Sequence, residues 1–389
     1  MANAFNDTSS IAGLVQTAYD RYVEFALRAQ PMIRAVADKK PVQQAMPGSS
    51  VVFSLYNDLA AATSTLTETT DPDAVALSNV DTVSVTLNEY GNASLVTRKL
   101  QLFSLSDVDP AVADIIAFNM ADSLDIVAQN TLRQGTNVIY GGTRTSTATV
   151  TASDTIDSAD IRKAVAKLRS NKAVPRAGSL YWVGIHPEVS HDLRAESGSV
   201  GWRDTHAYTD ASLGNLFAGT IGTYEGAFFV ENSRMFSAKD GADQTDLATA
   251  SAVSGVSGEF TIVAANAAFG GKAEVGDKIA GTNVGASAKI TAISVGATNT
   301  TFTVDVANSG TVGTNTLTVT PVTRVFRTLL CGKQALAEAV SQEPGVVIGP
   351  VTDKLMRFRP IGWYGVLGWN RYREEALYRI ETGSSIAAL

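Results

Sequence analysis

The 389-residue sequence predicts an α+β protein with a small all-β module inserted into it. Three observations carry that expectation. Residues 110–133 and 156–171 repeat apolar side chains at helical spacing, as amphipathic helices do. Short strand-like runs surround them, the most apolar being Leu180-Tyr181-Trp182-Val183-Gly184-Ile185 and Ala227-Phe228-Phe229-Val230. Over residues 239–323 the composition turns to Ala, Gly, Thr, Val and Ser, with no Trp, Tyr, Met, Cys or His.

In chain order, Leu14, Ala18, Tyr22, Phe25 and Ala29 space an amphipathic arm that Pro31, Pro41 and Pro47 interrupt. Its basic residues include Arg28, Arg34, Lys39 and Lys40. Residues 51–56 read as a strand, and over 81–87 Val83, Val85 and Leu87 alternate with Thr82, Ser84 and Thr86. The polar stretch between them makes an antiparallel ribbon, acidic near its tip (Glu68, Asp71, Asp73) and basic near its base (Arg98, Lys99). A two-stranded ribbon is marginal alone in water, so it is expected to rest on a neighbouring copy.

Asp109-Pro110 supplies an N-cap and a first-position proline for a helix to about Arg133. Its stripe is Val112, Ile116, Met120, Leu124 and Val127, widened by Ile115 and Phe118, with Asp114, Asp122 and Asp125 off it. Such a helix spans on the order of 36 Å and suits a strut. Ser158 is the expected N-cap of the next helix, which buries Ile161, Val165 and Leu168. His186-Pro187-Glu188 then turns the chain into a further short helix.

Within 239–323, residues 259–263, 288–293, 301–306 and 316–319 alternate at period two between Gly- and Asp-rich turns. This module is expected to face outward. Beyond it, 346–348, 354–359 (with Arg357 and Arg359) and 361–369 read as strands. In the last, Ile361, Trp363, Leu367 and Trp369 share one face; Tyr364 and Val366 share the other with Gly362 and Gly368.

Composition narrows the function. Charged residues are 18% of the chain, below the usual quarter or so, and the net charge is −7. A protein whose main work is coating nucleic acid or anionic lipid needs clustered Lys and Arg. The single Cys331 permits no intramolecular disulfide, and the first residues carry no secretory signal pattern. His186 and His191 lack the spacing of a helical metal pair, and the Gly-rich strings Tyr140-Gly141-Gly142-Thr143 and Phe269-Gly270-Gly271-Lys272 lack phosphate-loop form. No catalytic, cofactor-binding or metal-binding residues are expected, so the chain reads as a non-enzyme.

The order of parts resembles tailed-phage major capsid proteins, in particular the family named after the coat protein of phage N4, with the HK97-type fold. The strings that carry the resemblance are Thr65-Leu66-Thr67-Glu68, Asn88-Glu89-Tyr90-Gly91, Leu105-Ser106-Asp107 and Asn130-Thr131-Leu132-Arg133. Gly135-Thr136-Asn137-Val138-Ile139-Tyr140, Asp160-Ile161-Arg162, Ile185-His186-Pro187 and the strand around Gly362-Trp363 continue it. The resemblance implies an N-terminal arm (1–50), an extended loop (51–100) and a peripheral domain over 101–150 with a spine helix at 109–134. It further implies an axial domain in two parts (151–238 and 324–345) around the inserted module (239–323), and C-terminal strands (346–389) completing the peripheral domain. The implied work is self-assembly into pentamers and hexamers of an icosahedral shell enclosing double-stranded DNA, in a virion assembled in a host bacterial cytoplasm. Implied partners are further copies of the chain, a separate scaffolding protein, a portal and a cement or decoration protein, with no DNA sequence specificity and no membrane. A compartment shell of the encapsulin type is the alternative; a surface adhesin, suggested by the Thr/Gly-rich module, lacks the signal peptide it would need. Glu68, Asp71, Asp73, Arg98, Lys99, Arg28, Arg34, Lys39, Lys40, Arg357 and Arg359 are the expected contacts between subunits.

Overall fold

The computed structural model describes residues 31–41, 50–55, 59, 61–63, 65–66, 68–69, 81–103, 108–196, 220–244, 248–265, 273–350, 355 and 357–386. The amphipathic stretch over 11–30, with Arg28, lies outside the described residues, as do Asp71, Asp73 and His206. A 3₁₀ turn over Ile33–Val36 leads into β1 (Asp38–Pro41), then β2 (Ser50–Leu55), β3 (Asp81–Thr86), β4 (Asn88–Thr97), α1 (Arg98–Phe103) and α2 (Val108–Leu132). There follow β5 (Val138–Tyr140), α3 (Ser158–Ser170), β6 (Tyr181–Ile185), α4 (Pro187–Ala195), β7 (Thr220–Tyr224), β8 (Ala227–Glu231) and β9 (Ser237–Asp243). Next are β10 (Ala248–Ser254), β11 (Thr261–Ala265), β12 (Lys278–Ala280), β13 (Ile290–Val295), β14 (Asn299–Val304) and β15 (Thr316–Thr320). The chain closes with β16 (Val322–Cys331), β17 (Leu336–Ile348), β18 (Phe358–Arg371) and β19 (Leu377–Thr382).

A seven-stranded sheet has the order β5-β19-β16-β6-β8-β7, with β9 pairing the first half of β16. Its central strands are apolar on both faces because both are covered. Tyr181, Val183 and Ile185 join Ile161, Val165, Leu168, Val189 and Leu193 of α3 and α4. Trp182, Leu329 and Cys331 face the other way, onto Ala128 and Leu132 of α2. Cys331 is fully buried, which pushes its thiol up to about 12. His186 caps α4 through its ring, accepting from the Glu188 N–H, and its ring lies 4.9 Å from that of Phe326.

α2 ties this sheet to a second one of four strands, β1-β17-β18-β4. Its 25 residues span about 37 Å. Ile116 and Leu124 pack on Ile361, Trp363 and Leu367 of β18, and the last turns reach the seven-stranded sheet. The helix begins at Val108, so Asp109 stands inside its first turn rather than capping it, and Pro110 is its third residue rather than its first. Ile115 is half exposed instead of widening the apolar stripe. Asp125, expected off that stripe, is buried, and its Oδ1 accepts the Ile33 and Arg34 N–H groups at 2.6 and 3.0 Å. Those donors belong to a turn too short to satisfy them itself.

At the C-terminus the strands divide differently from the expected domain bounds. β17 begins at Leu336 and runs into the four-stranded sheet in one piece, its register shifting around Gln342 and Gly345. β19 returns to the seven-stranded sheet, where Leu377 and Ile380 are fully buried. The inserted module is a six-stranded sheet, β12-β15-β10-β11-β14-β13, with a core of its own around Ile262, Phe302, Leu317 and Val319. β9 and β16 leave side by side as its stalk, pairing Asp243 with Val322. Buried Asp277 of the module clamps the stalk, taking Lys239 Nζ at 2.6 Å.

The N-cap of α3 is Asp157, whose Oδ1 accepts the Asp160 N–H at 2.8 Å, rather than Ser158. Ser158 instead donates its N–H and hydroxyl to Glu196. Asp160 itself is only 7% exposed, with one carboxylate oxygen that no hydrogen bond reaches among the described residues. Burial, reinforced by the charge of Asp157, raises its pKa to about 7. A carboxyl raised on folding contributes stability that is complete below its unfolded pKa near 4 and is lost as pH rises through 7. At about 1.4 kcal/mol per tenfold change in proton affinity, ionised Asp160 costs up to about 4 kcal/mol at pH 8. Asp160→Asn is therefore expected to match the native protein near pH 4 and exceed it at pH 8 in denaturation midpoint. Equal midpoints at pH 8 would refute this origin.

Candidate inter-subunit surface

One face of the four-stranded sheet carries α2; among the described residues, the other is covered over only half its length. The covered half lies under the β2–β3 ribbon, whose strands pair from Ser50 with Thr86 to Leu55 with Asp81. Phe53 and Val85 are buried against Ala337 and Ala339 of β17, and the Phe53 ring meets Tyr372 edge-on at 5.5 Å. Asn370 donates to the Ser84 carbonyl at 2.8 Å. The base of the ribbon thus rests on its own chain, not on a neighbour as expected, because the face with Val83, Val85 and Leu87 finds small side chains on β17. Glu68, beyond that base, is exposed, and Leu66 two residues before it is 75% exposed.

Past the end of the ribbon the sheet face opens into a groove of about 620 Å³. Gly91, Gly349 and Gly362 line it, with Val347, Pro360 and Tyr364 as its larger side chains. β4 forms one margin, paired with β18 from Phe358 opposite Thr97 to Leu367 opposite Asn88. Leu95, Val347 and Ile348 are all more than half exposed here.

That register brings together two basic pairs distant in sequence. The Arg98 N–H donates to the Arg357 carbonyl at 2.8 Å, and Arg359 stands opposite Val96. Arg98, Lys99, Arg357 and Arg359 are all exposed at this end. Beside them α1 and the turn before β18 expose Leu100, Leu102, Phe103 and Leu355, Phe103 by 77%. Contiguous apolar side chains rimmed by charge are what a surface awaiting a partner presents.

Arg34 and Lys39 of the N-terminal segment do not join this cluster. Arg34 is occupied within the chain, its Nε 2.7 Å from Glu338 and one terminal nitrogen 3.1 Å from Glu343. Glu338 is wholly buried, and burial raises its pKa against the pull of Arg34. Removing Arg34 would strand that carboxylate, so its role is to hold the Ile33–Val36 turn on β17. Lys39 is exposed on β1 at the opposite edge of the sheet, and the Lys40 backbone pairs with Ala339. Leu95, Leu100, Leu102, Phe103 and Leu355 escaped the sequence reading. Their signal was the apolar run Leu100-Gln101-Leu102-Phe103 directly after two cations, too short to show a face.

Among the described residues no cluster of three His, Cys, Asp or Glu side chains could hold a metal ion. No helix among them is long and apolar enough to cross a membrane.

A family model described as phage capsid protein matches residues 128–385, well over half of the chain. No curated protein matches the sequence. Solved structures match over nearly the whole length. The capsid of cyanophage Pam1 is 12% identical, with a TM-score of 0.60 over 99% of this chain and 100% of that one. The capsid of Ralstonia phage GP4 is 12% identical, with a TM-score of 0.61 over 95% and 96%. The capsid of Helicobacter pylori bacteriophage KHP30 is 13% identical, with a TM-score of 0.56 over 98% and 99%.

Proposed function

The chain belongs to the phage capsid protein family, and on that premise we propose that it is the major shell subunit, closing into pentamers and hexamers of an icosahedral capsid around double-stranded DNA. It is a structural component of a bacteriophage virion with the HK97-type fold. The observation that supports self-assembly most directly is the half-covered four-stranded sheet. Its glycine-lined groove and apolar, basic end need a partner, and the protruding ribbon carries a matching exposed leucine and acid, Leu66 and Glu68. We read the acidic tip (Glu68, Asp71, Asp73) of one subunit as seated on Arg98, Lys99, Arg357 and Arg359 of the next. A contact between unlike surfaces, repeated around an axis, closes into rings. In this reading the four-stranded sheet, α2 and the ribbon form the peripheral part, and the seven-stranded sheet with α3 and α4 the axial part.

Within the family the strings from Thr65 to Tyr140 support an N4 coat-protein-like subunit. A separate scaffolding protein, a portal and a cement protein fit that role, as does assembly in the host bacterial cytoplasm. A compartment shell holding an enzyme is not favoured, since the family is that of phage capsid proteins and phage capsids are among the matching structures. The purified chain, alone or with its scaffolding protein, should give closed shells in electron micrographs. A product that stays monomeric under every condition tried would overturn the proposal.

A further inference from the structure

We propose that a second cavity, on the seven-stranded sheet and away from the surface just described, is a binding site for the phosphoryl group of a nucleotide. The cavity, of about 490 Å³, lies between β5, the turn that follows it and α3. Arg144, Lys163 and Lys167 line it together with Tyr140, Thr143 and Tyr378. No acidic side chain is among its lining residues, in a chain whose net charge is −7. Lys163 and Lys167 are four apart on α3 and so share one face of that helix.

The turn that supplies the rest of the wall is built around one carboxylate. Asp154 Oδ2 takes the Arg144 Nε at 2.8 Å and the Thr151 N–H and hydroxyl at 2.7 and 2.6 Å. Burial would raise its pKa, but these bonds outweigh burial and hold the carboxyl below its ordinary value. Arg144 is thus fixed by its Nε. Gly142 closes the turn with φ +61°, and a Cβ there would stand 2.9 Å from Asp154 Oδ1. Across the cavity the Tyr378 hydroxyl accepts from Asn171 Nδ2 at 3.2 Å, which orients its ring. Arg144 and the Tyr378 ring are therefore held before any ligand arrives.

Lys163, Lys167 and Arg144, less the one charge that Asp154 sets against Arg144, leave about two positive charges, which with several hydroxyl donors match a group with about −1 to −2 charges and three or more acceptor oxygens. A peptide carboxylate offers two oxygens and one charge. The volume exceeds that of a bare phosphate, and Val138, Ile139 and the Tyr140 ring give apolar wall for the sugar or base of a nucleotide unit. That unit could be a free nucleotide or one phosphodiester of a nucleic acid.

The test uses the full-length chain and does not depend on whether it forms shells. Binding of inorganic phosphate, AMP and a short DNA duplex is measured by calorimetry at constant ionic strength. The native protein is compared with Lys163→Gln/Lys167→Gln, whose sites are exposed, at pH 6, where Asp160 beside Lys163 is mostly protonated and the unfolding midpoint in chloride should stay close to the native one. The expected result is at least a tenfold loss of AMP or duplex affinity in the variant. Loss for AMP alone identifies a free nucleotide; loss for the duplex identifies the backbone. No binding to the native protein, equal binding by the variant, or equal affinity for an acidic peptide would each overturn the assignment.

Discussion

Gly368→Ala is expected to lower the unfolding midpoint by several degrees and to lift the ribbon from its sheet. Gly368 pairs with Ala339 in the middle of the β17–β18 ladder, directly under the ribbon. A Cβ built there would run into the Thr86 carbonyl oxygen, and that atom is backbone of a paired strand, with no rotamer to escape by. The clash is relieved only by moving β3 outward, which unpacks Phe53 and Val85 from Ala337 and Ala339. Overpacking of this kind costs about 1–3 kcal/mol. Gly345→Ala is the control, because a Cβ at that position meets nothing within 4 Å. Thermal unfolding of both variants, with limited proteolysis of the ribbon, separates the outcomes. A Gly368→Ala protein as stable and as protease-resistant as the Gly345→Ala protein would show that the ribbon does not depend on this approach.

The same glycine shows what the sequence could carry. Gly362 and Gly368 beside Tyr364 on one strand face signalled close backbone approach, but not which backbone. At Gly368 it is the ribbon; at Gly362 it is Asn92 of β4. The long helices were legible because their side chains repeat at one clear period, and the strands β6 and β8 because they are short, nearly unbroken apolar runs. β4 was not, since apart from Tyr90, Val96 and Thr97 its residues are exposed and no alternation survives. β10 is Ala-Thr-Ala-Ser-Ala-Val-Ser, strand-like in its pairing yet nearly featureless in hydrophobicity. β17 was read only over 346–348 because Glu338 and Pro344 interrupt the apolar pattern. The structure resolves both, the first by Arg34 and the second by the shifted register near Gly345.

The candidate surface divides in the same way. Arg98, Lys99, Arg357 and Arg359 could be named as charged, but only the β4–β18 pairing reveals that they form one cluster. Arg34 illustrates the opposite failure. A cation in a polar segment reads as free for a partner until the buried acid that holds it, more than three hundred residues away, is in view. Sequence distance hides both facts for one reason: the four-stranded sheet joins strands from the two ends of the chain.

Deleting residues 65–78 is expected to leave the subunit folded and to abolish or severely weaken assembly. The deleted segment contains Leu66 and Glu68, exposed and beyond the Phe53–Val85 anchor, so the packing of the ribbon base and both sheets is left in place. Circular dichroism and the unfolding midpoint should therefore stay near the native values, while light scattering and electron microscopy should show free subunits. A single exposed ion pair contributes only about 0–1 kcal/mol, so Glu68→Arg alone should slow assembly more than it prevents it. A shell repeats each contact many times, however, and a small loss per contact accumulates. If the tip meets the basic end of a neighbouring four-stranded sheet, Glu68→Arg combined with Arg357→Glu should assemble better than either single variant. Rescue by reversal at Lys39 instead would move the docking site to the β1 edge of that sheet. Normal shells from the deletion variant would mean that the groove and its apolar rim are filled by some other part of the neighbouring subunit.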